Sequence, residues 1–207
     1  MAKERLKSPR ARLFVALDLP EDVRAGLEAW QARELNDEAL LPVDSQALHI
    51  TLCFLNYHPE RKIDQIAAVA TGIEHRPVEL RFEAEPKPLP KGRPRLFAIG
   101  ADSEAAITLQ QELSDALEAR RFYEPEKREF WPHVTVARVR TERAKPKPRR
   151  WRGKGKPRPV TAPPGSLPSE LLRPFAASRV ALYRSYLRPT GAEYVRLAEL
   201  NLASDER

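Results

Sequence analysis

Two short segments of the chain repeat one arrangement of side chains that could perform acid–base chemistry. Residues 49–52 read His-Ile-Thr-Leu and residues 133–136 read His-Val-Thr-Val, so each segment places a threonine two positions after a histidine. The chain has only four histidines, and chance alone would give two such combinations with a probability of roughly 1 %. A single His-x-Thr is more often structural, whereas the repeat indicates a function.

The chemistry that suits this arrangement is acid–base catalysis at a phosphate. The unperturbed pKa of histidine is about 6.5, so both protonation states are accessible near neutral pH. A neutral imidazole can accept a proton from the attacking water, and a protonated one can donate a proton to the leaving alkoxide. Two threonine hydroxyls can donate hydrogen bonds to the non-bridging oxygens of a pentacoordinate phosphorus. No acidic or Cys/His cluster has metal-ligand spacing, so we expect neither a metal nor another cofactor.

Each motif requires a strand that presents its histidine and threonine on one face. Side chains alternate across a strand, so His49 and Thr51 share a face, and the same holds for His133 and Thr135. Cys53 is the next residue on the first of these faces and is small enough to leave room for a ligand. The residues expected to point the opposite way, into the core, are Leu48, Ile50, Leu52 and Phe54 in the first strand and Val134 and Val136 in the second.

Strand and helix patterns surround both motifs. Strands are predicted at Arg12–Asp18, Ala47–Leu55, Val78–Ala84, Arg95–Gly100, Glu129–Val139, Arg179–Leu187 and Glu193–Leu200, with a proline-rich turn at Pro86–Pro94. Helices are predicted from Pro20 to about Leu35, near Glu60–Ile73, and over Glu104–Arg121 with Asp102 or Ser103 as its cap. Because several strands follow one another directly, the order favours an α+β fold with mixed or antiparallel sheets.

Length and composition limit the class of protein. The 207 residues are 42 % hydrophobic and 31 % charged, which fits a globular chain of one domain or two small lobes. No apolar run approaches the roughly 18 residues of a membrane span, and no apolar signal segment follows the basic N-terminus. The single cysteine cannot form an internal disulfide. We therefore expect a cytoplasmic protein, and a monomer.

The net charge of +7 is concentrated in one segment. Arg140–Arg158 contains ten lysines and arginines against one acid, Glu142, so it carries +9 and the rest of the chain carries −2. Prolines continue to Pro174, which predicts an extended insertion loop, flexible at least in part, over about residues 140–174. The loop is either a solvated linker or an arm that binds phosphate backbones, whose contribution would fall steeply with salt.

The two motifs at this separation resemble those of the 2H phosphoesterase superfamily. The similarity extends to its RNA 2′,3′-cyclic phosphodiesterase branch, formerly called 2′-5′ RNA ligases, and covers about Leu13–Val139 and Ser178–Leu200. The segments that carry it are Arg12–Pro20, His49–Leu55, Pro132–Arg138 and Leu182–Leu187, followed by Gly191 and Tyr194.

This resemblance implies a bilobal α+β fold over residues 1–207, in which two pseudo-symmetric lobes face a central cleft and each contributes one motif. The implied activity is metal-independent hydrolysis of RNA 2′,3′-cyclic phosphate ends, such as those of tRNA fragments, to 2′-phosphomonoesters, with reversible 2′-5′ ligation in some members. His49 and His133 would be the acid–base pair, and Thr51 and Thr135 would bind the phosphate. We expect His49 to protonate the leaving 3′ oxygen and His133 to activate water, although the sequence does not decide between the two.

Two further positions bear on the resemblance. Arg138 fits the family pattern as a phosphate ligand, but strict alternation places it on the core side, so this role requires a bulge or a strand end. Asn56 stands where the family often has glycine.

Two other functions compete with the RNA hydrolase: an RNA-binding module that relies on the basic loop, and a 2H phosphodiesterase of a small cyclic-phosphate metabolite. Intact histidines and threonines argue against the binding module.

Overall fold

The computed structural model describes residues 9–74, 76–142, 155–188 and 191–202. The strands in these ranges are β1 (Arg10–Asp18), β2 (Leu40–Pro42), β3 (His49–Pro59), β4 (Glu79–Phe82), β5 (Lys87–Leu89), β6 (Leu96–Asp102), β7 (His133–Val139), β8 (Phe175–Ala176), β9 (Arg179–Arg188) and β10 (Gly191–Asn201). The α-helices are α1 (Glu21–Glu34), α2 (Ile63–Thr71) and α3 (Glu104–Ala119), and short 3₁₀ helices lie at Ser45–Ala47, Glu60–Lys62 and Ser169–Leu172.

The strands join in the order β10-β9-β1-β3-β7-β6-β4-β8, with β2 added to β7 and β5 added to β6. Every strand pairing in the described ranges is antiparallel, so the predicted α+β class with antiparallel sheets is confirmed. β3 and β7 lie at the centre. There the half of the sheet built from the N- and C-terminal strands meets the half built from the middle of the chain. None of the helices in the described ranges has the length and apolar character that crossing a bilayer requires.

Two of the three α-helices in the described ranges, α1 and α3, begin where the sequence predicts them, whereas α2, expected from about Glu60, begins at Ile63 after a 3₁₀ turn. Pro20 precedes α1, and Glu21 and Asp22 in its first turn face the positive end of the helix dipole. Of the two candidate caps for α3, the structure selects Ser103, whose hydroxyl accepts a hydrogen bond from the backbone N–H of Ala106 at 3.0 Å. The sequence therefore located both helix starts to within a residue.

Near two proline-containing segments the strands differ from those predicted. The strand expected from Glu129 begins only at His133, since Pro132 has no N–H to contribute to a ladder. The expected turn at Pro86–Pro94 contains β5, which pairs with β6. Among the strands that the structure describes, only β6 borders β5. The backbone of Pro88 therefore needs no second partner strand, and edge strands tolerate proline for this reason.

Two β-bulges in β3 change which of its side chains face the core. Val15 pairs with Cys53 and Ala16 with Thr51, so Leu52 is an extra residue in the ladder; a second shift follows near Leu55. As a result Cys53 is buried and Phe54 is 45 % exposed. The expectations that Cys53 lies on the site face and that Phe54 lies in the core are therefore wrong, because each bulge reverses the alternation.

Asn56 follows the second bulge with a φ of +59°. This left-handed backbone conformation favours glycine, and asparagine is among the other residues that adopt it most readily. The conformation explains why asparagine can stand at a position where the family often has glycine.

The basic insertion is only partly within the described residues, since residues 143–154 lie outside them. The described remainder, residues 155–174, packs against the body of the protein. The indole N–H of Trp30 donates to the carbonyl of Ser166 at 3.1 Å, and Leu167 and Leu171 are buried. Asp37 accepts hydrogen bonds from the backbone N–H groups of Thr161 and Ala162. This portion of the loop is therefore attached to the protein, while most of it has no regular secondary structure, which agrees with its many prolines.

Candidate active site

Both His-x-Thr motifs lie where the two halves of the sheet meet. β3 and β7 are joined through the antiparallel pair Ile50 and Val134, both of which are completely buried. The residues on either side of this pair must oppose each other across the strands and point to the other face of the sheet. The opposed residues are His49 with Thr135 and Thr51 with His133, and all four are partly exposed.

The two histidines are diagonal neighbours in this arrangement. Diagonal positions of an antiparallel pair lie roughly 7–8 Å apart, within reach of long and aromatic side chains. The positive charge of a protonated His133 lowers the pKa of His49, which requires the two rings to be close. The four side chains are thus related by an approximate two-fold axis, with a histidine and a threonine on each side of one gap.

Backbone and aromatic contacts orient the ring of His133. Its Nδ1 hydrogen bonds to the carbonyl of Trp131 at 2.7 Å. A carbonyl can only accept, so Nδ1 carries the hydrogen and Nε2 is left available. The ring also stacks on Trp131 with 4.6 Å between centroids and an interplanar angle of 16°. Burial lowers the pKa of His133, although the bond to Trp131 opposes this effect.

His49 has the corresponding environment in the other half of the sheet. It stacks on Phe14 with 5.0 Å between centroids, meets Tyr194 edge-on at 5.3 Å, and forms a hydrogen bond with the backbone of Ala47. Burial is the main cause that lowers the pKa of His49 to about 4, and the positive charge of Arg138 contributes. The imidazole of His49 is therefore neutral at pH 7 in the free protein.

A partly buried carboxylate supports this aromatic cluster. The hydroxyl of Tyr183 donates to both carboxylate oxygens of Asp18, at 2.7 and 2.8 Å, and its ring stacks on Phe14 at 5.2 Å. The Nε of Arg179 lies 3.4 Å from the same carboxylate. Burial, together with the hydrogen bond to Asp18, raises the pKa of Tyr183 well above its ordinary value, so its hydroxyl stays protonated and continues to donate.

The sequence predicted none of these supporting residues. Phe14 and Asp18 occupy the same face of β1 as alternate positions, opposite Phe54 and His49 of β3. That alternation was visible in the sequence, but the partner strand was not. The sequence around Trp131 fits either stacking on a base or packing, and the structure shows the indole packed on His133.

A third bulge, in β7, determines the position of Arg138. Ala98 pairs with Thr135 but Phe97 pairs with Ala137, so Val136 is the extra residue. Arg138 therefore moves to the face of His133 and Thr135, where it is exposed. The bulge that a phosphate-binding role for Arg138 requires is present in the structure.

The bulge is held by a residue that the sequence analysis missed. Gln31 of α1 is only 4 % exposed, and its side-chain amide donates to the carbonyl of Val136 at 2.7 Å and to that of Val43 at 3.0 Å. A buried polar side chain on an otherwise apolar helix face is the signal that could have identified it.

Cys53 takes no part in the candidate site. It is 1 % exposed, and burial raises the pKa of its thiol to about 12, so the unreactive protonated form predominates. Among the residues that the structure describes, no cluster of three or more His, Cys, Asp or Glu side chains could hold a metal ion.

Comparison with known proteins places this chain in a family. A profile of the 2′-5′ RNA ligase superfamily matches residues 19–162. The RNA 2′,3′-cyclic phosphodiesterase of Thermus thermophilus is 28 % identical over 202 residues, which cover 94 % of this chain and 91 % of that protein. The crystal structure of the Thermus thermophilus protein TT0787 matches with a TM-score of 0.73 and 27 % identity, covering 94 % of this chain and 100 % of that one.

A second solved structure shows the same fold. Escherichia coli LigT in complex with 3′-AMP matches with a TM-score of 0.68 and 25 % identity, covering 95 % of this chain and 100 % of that one. The chain belongs to the 2′-5′ RNA ligase superfamily.

Proposed function

We propose that the protein hydrolyses RNA 2′,3′-cyclic phosphate ends to 2′-phosphomonoesters without a metal ion. The observation that carries this proposal is the pairing of Ile50 with Val134, which sets two histidines and two threonines around one gap. The name of the Thermus thermophilus relative supports the substrate class.

In the proposed reaction a water oxygen attacks phosphorus and the bond from phosphorus to the 3′ oxygen breaks. One imidazole takes the proton of the water, and the other gives its proton to the departing 3′ oxygen. The hydroxyls of Thr51 and Thr135 and the guanidinium of Arg138 donate to the non-bridging oxygens, whose negative charge grows as water adds. If the 5′-hydroxyl of a second RNA replaces water as the nucleophile, the bond from phosphorus to the 3′ oxygen breaks in the same way and a 2′-5′ phosphodiester forms. In the reverse direction the 3′-hydroxyl attacks that diester, the 5′ oxygen leaves with a proton, and the cyclic phosphate is regenerated.

The environments of the two rings differ enough to bear on their roles. Burial and nearby positive charges lower the pKa of His49 to about 4, whereas the reduction at His133 is smaller. The ring with the lower pKa more readily stays neutral while its neighbour is protonated. This difference favours His49 as the base and His133 as the acid, the reverse of the assignment expected from the sequence.

A substrate with sulfur in place of the leaving 3′ oxygen tests that assignment. A thiolate leaves without a proton, so replacing the acid should then cost little, whereas replacing the base should cost as much as it does with oxygen. We expect the sulfur substrate to restore turnover to His133→Ala and not to His49→Ala. If the sulfur substrate restored turnover to His49→Ala alone, His49 would be the acid and His133 the base, as expected from the sequence.

The activity itself is tested with a 2′,3′-cyclic mononucleotide in the presence of EDTA. We expect His49→Ala and His133→Ala each to lower kcat by about 10²- to 10⁴-fold, the usual contribution of general acid–base catalysis. The matched control is His58→Ala, which removes an imidazole from the far end of β3. If both active-site variants kept kcat within about tenfold of the wild type, or if EDTA abolished activity, the proposal would be wrong.

The proposal extends to the setting in which the protein works. We propose that it acts in the cytoplasm as a monomer and as one bilobal domain over residues 1–207. The groups around the gap all come from one chain, which supports a monomer, and β3 and β7 join the two halves of the sheet, which supports one domain. The single cysteine, which cannot form an internal disulfide, supports the reducing cytoplasm.

A further inference from the structure

Beyond Arg138, β7 continues into a short two-stranded ribbon formed by the two ends of the basic insertion. Thr141 and Pro157 form an antiparallel bridge. The N–H of Glu142 donates to the carbonyl of Lys156, and the N–H of Arg158 donates to the carbonyl of Arg140, both at 2.8 Å. We call residues 138–142 and 155–158 the basic ribbon.

The basic ribbon turns its cations to the same face as the candidate active site. The β7 bulge puts Arg138 on that face, and alternation puts Arg140 there as well. Arg158 is directly opposite Arg140, since the two flank the bridge, and must share its face. On the other face Val139 and Pro157 are buried.

These cations are available to a ligand. Arg138, Arg140, Lys156 and Arg158 are exposed, and none of them has an ion pair to another described residue. The ribbon holds four cations against the single carboxylate of Glu142. The guanidinium of Arg95 donates to the carbonyl of Gly155 at 3.1 Å and anchors the returning strand of the ribbon to the body.

We propose that the basic ribbon binds the phosphodiester backbone of the RNA strand that leads to the cyclic phosphate end. This inference rests on the proposed function, which locates that end between His49 and His133. Alternate residues of a strand are about 6.6 Å apart, so Arg140 and its partner Arg158 extend the line of positive charge outward from Arg138. A row of cations that tracks a backbone binds single strands without reading their sequence.

The experiment compares two substrates in the full-length protein: a 2′,3′-cyclic mononucleotide and a ten-nucleotide RNA with a 2′,3′-cyclic phosphate end. The variant Arg140→Gln/Arg158→Gln removes two cations of the ribbon and leaves the acid–base and phosphate-binding groups intact. The control Arg61→Gln/Arg120→Gln removes the same charge from positions near the opposite, C-terminal end of β3.

We expect the ribbon variant to lower kcat/KM for the ten-nucleotide RNA by about 5- to 20-fold and to leave the mononucleotide within twofold. For the ten-nucleotide RNA, the slope of log kcat/KM against log salt concentration should also be shallower in the variant than in the wild type by about 1.4. The variant loses two phosphate contacts, and each contact on a single strand contributes about 0.7 to this slope. Equal losses on both substrates, or an equal loss in the control, would overturn the proposal. If the wild type hydrolysed neither substrate, the proposed function itself would be wrong. If the wild type hydrolysed both with the same salt dependence, only the proposal that the basic ribbon binds RNA would be wrong.

Discussion

Each of the two histidines is held by three local interactions: a bond to the backbone two residues earlier, a stacked aromatic ring, and the neighbouring strand. Trp131 supplies the ring for His133 and Phe14 supplies it for His49. Stacking removes water from one side of each imidazole, and this desolvation is the first cause of the lowered pKa at both positions. The free protein therefore holds two neutral imidazoles at neutral pH, and the acid gains its proton only below that pH or when the phosphate binds.

The lowered pKa values predict an acidic optimum for kcat/KM. The reactive free protein carries one proton on the two rings, so kcat/KM should rise as pH increases through about 4 and fall above the pKa of His133, which lies below 6.5. The shape is the same whichever ring is the base. The profile of kcat should lie at higher pH, because the charge of the bound phosphate raises both pKa values. A kcat/KM optimum above about pH 7.5 would contradict the lowered pKa values.

At the scale of elements, bulges decide which residues enter the site. The bulge at Val136 brings Arg138 to the face of His133, and the bulge at Leu52 buries Cys53 and exposes Phe54. Alternation correctly predicted the faces of the histidines and threonines, which precede the bulges. It failed after them because an inserted residue has no compositional signature, and its position depends on partners elsewhere, such as Gln31, that are distant in the sequence.

Replacing Gln31 should affect both stability and phosphate binding. In Gln31→Leu the carbonyls of Val43 and Val136 lose a buried donor, which costs about 1–3 kcal/mol of unfolding free energy. The carbonyl of Val136 then keeps only the hydrogen bond from the N–H of Val43 at 3.1 Å. Because the bulge is held less firmly, we expect KM for a cyclic mononucleotide to rise several-fold with a smaller change in kcat. Chemical denaturation and steady-state kinetics measure the two effects.

The control for this prediction is Gln110→Leu, which removes an amide from α3 that makes a 4.0 Å approach to the sulfur of Cys53. We expect its KM to equal that of the wild type. A Gln31→Leu protein with lower stability but an unchanged KM would show that Gln31 serves the fold and not the position of Arg138.

At the scale of the whole molecule, the carboxylate of Asp37 ties the basic insertion to the body, together with those of Glu34 and Glu85, which accept from Gly165 and Ser166. Asp37 accepts bonds from the N–H of Ala39, the N–H and hydroxyl of Thr161 and the N–H of Ala162, at 2.7 to 2.9 Å. These bonds to the ionised carboxylate hold the pKa of Asp37 far below its ordinary value of 3.8. Because the folded pKa is depressed, the attachment is complete above pH 3.8 and is lost only as pH falls through the lower folded value.

Removing this carboxylate should loosen the insertion without affecting catalysis. In Asp37→Ala we expect amide hydrogen exchange at Thr161 and Ala162 to accelerate at least about tenfold, while turnover of a cyclic mononucleotide stays within about twofold of the wild type. In the wild type the same amides should remain protected at about pH 4. Unchanged exchange in the variant would mean that the other contacts of this segment, such as Trp30 with Ser166, suffice to hold it.

The order of the strands in the sheet could not be predicted from the sequence. Periodicity located most elements, and the repeated motif identified the four central residues. The antiparallel contact between β3 and β7, which makes one site of two distant motifs, depends on how the two halves pack. Such long-range pairing leaves no local trace in either strand.

The position of β1 between β3 and β9 has a consequence for protein synthesis. The His49 half needs β9 and β10, which leave the ribosome after both motifs, and Tyr183 and Tyr194 arrive with them. A nascent chain halted after residue 176 would carry both motifs and Phe14 but would lack Tyr183 and Tyr194, two of the three aromatic rings near His49. The environment of His49 is therefore complete only after β10 has been synthesised and has paired with β9.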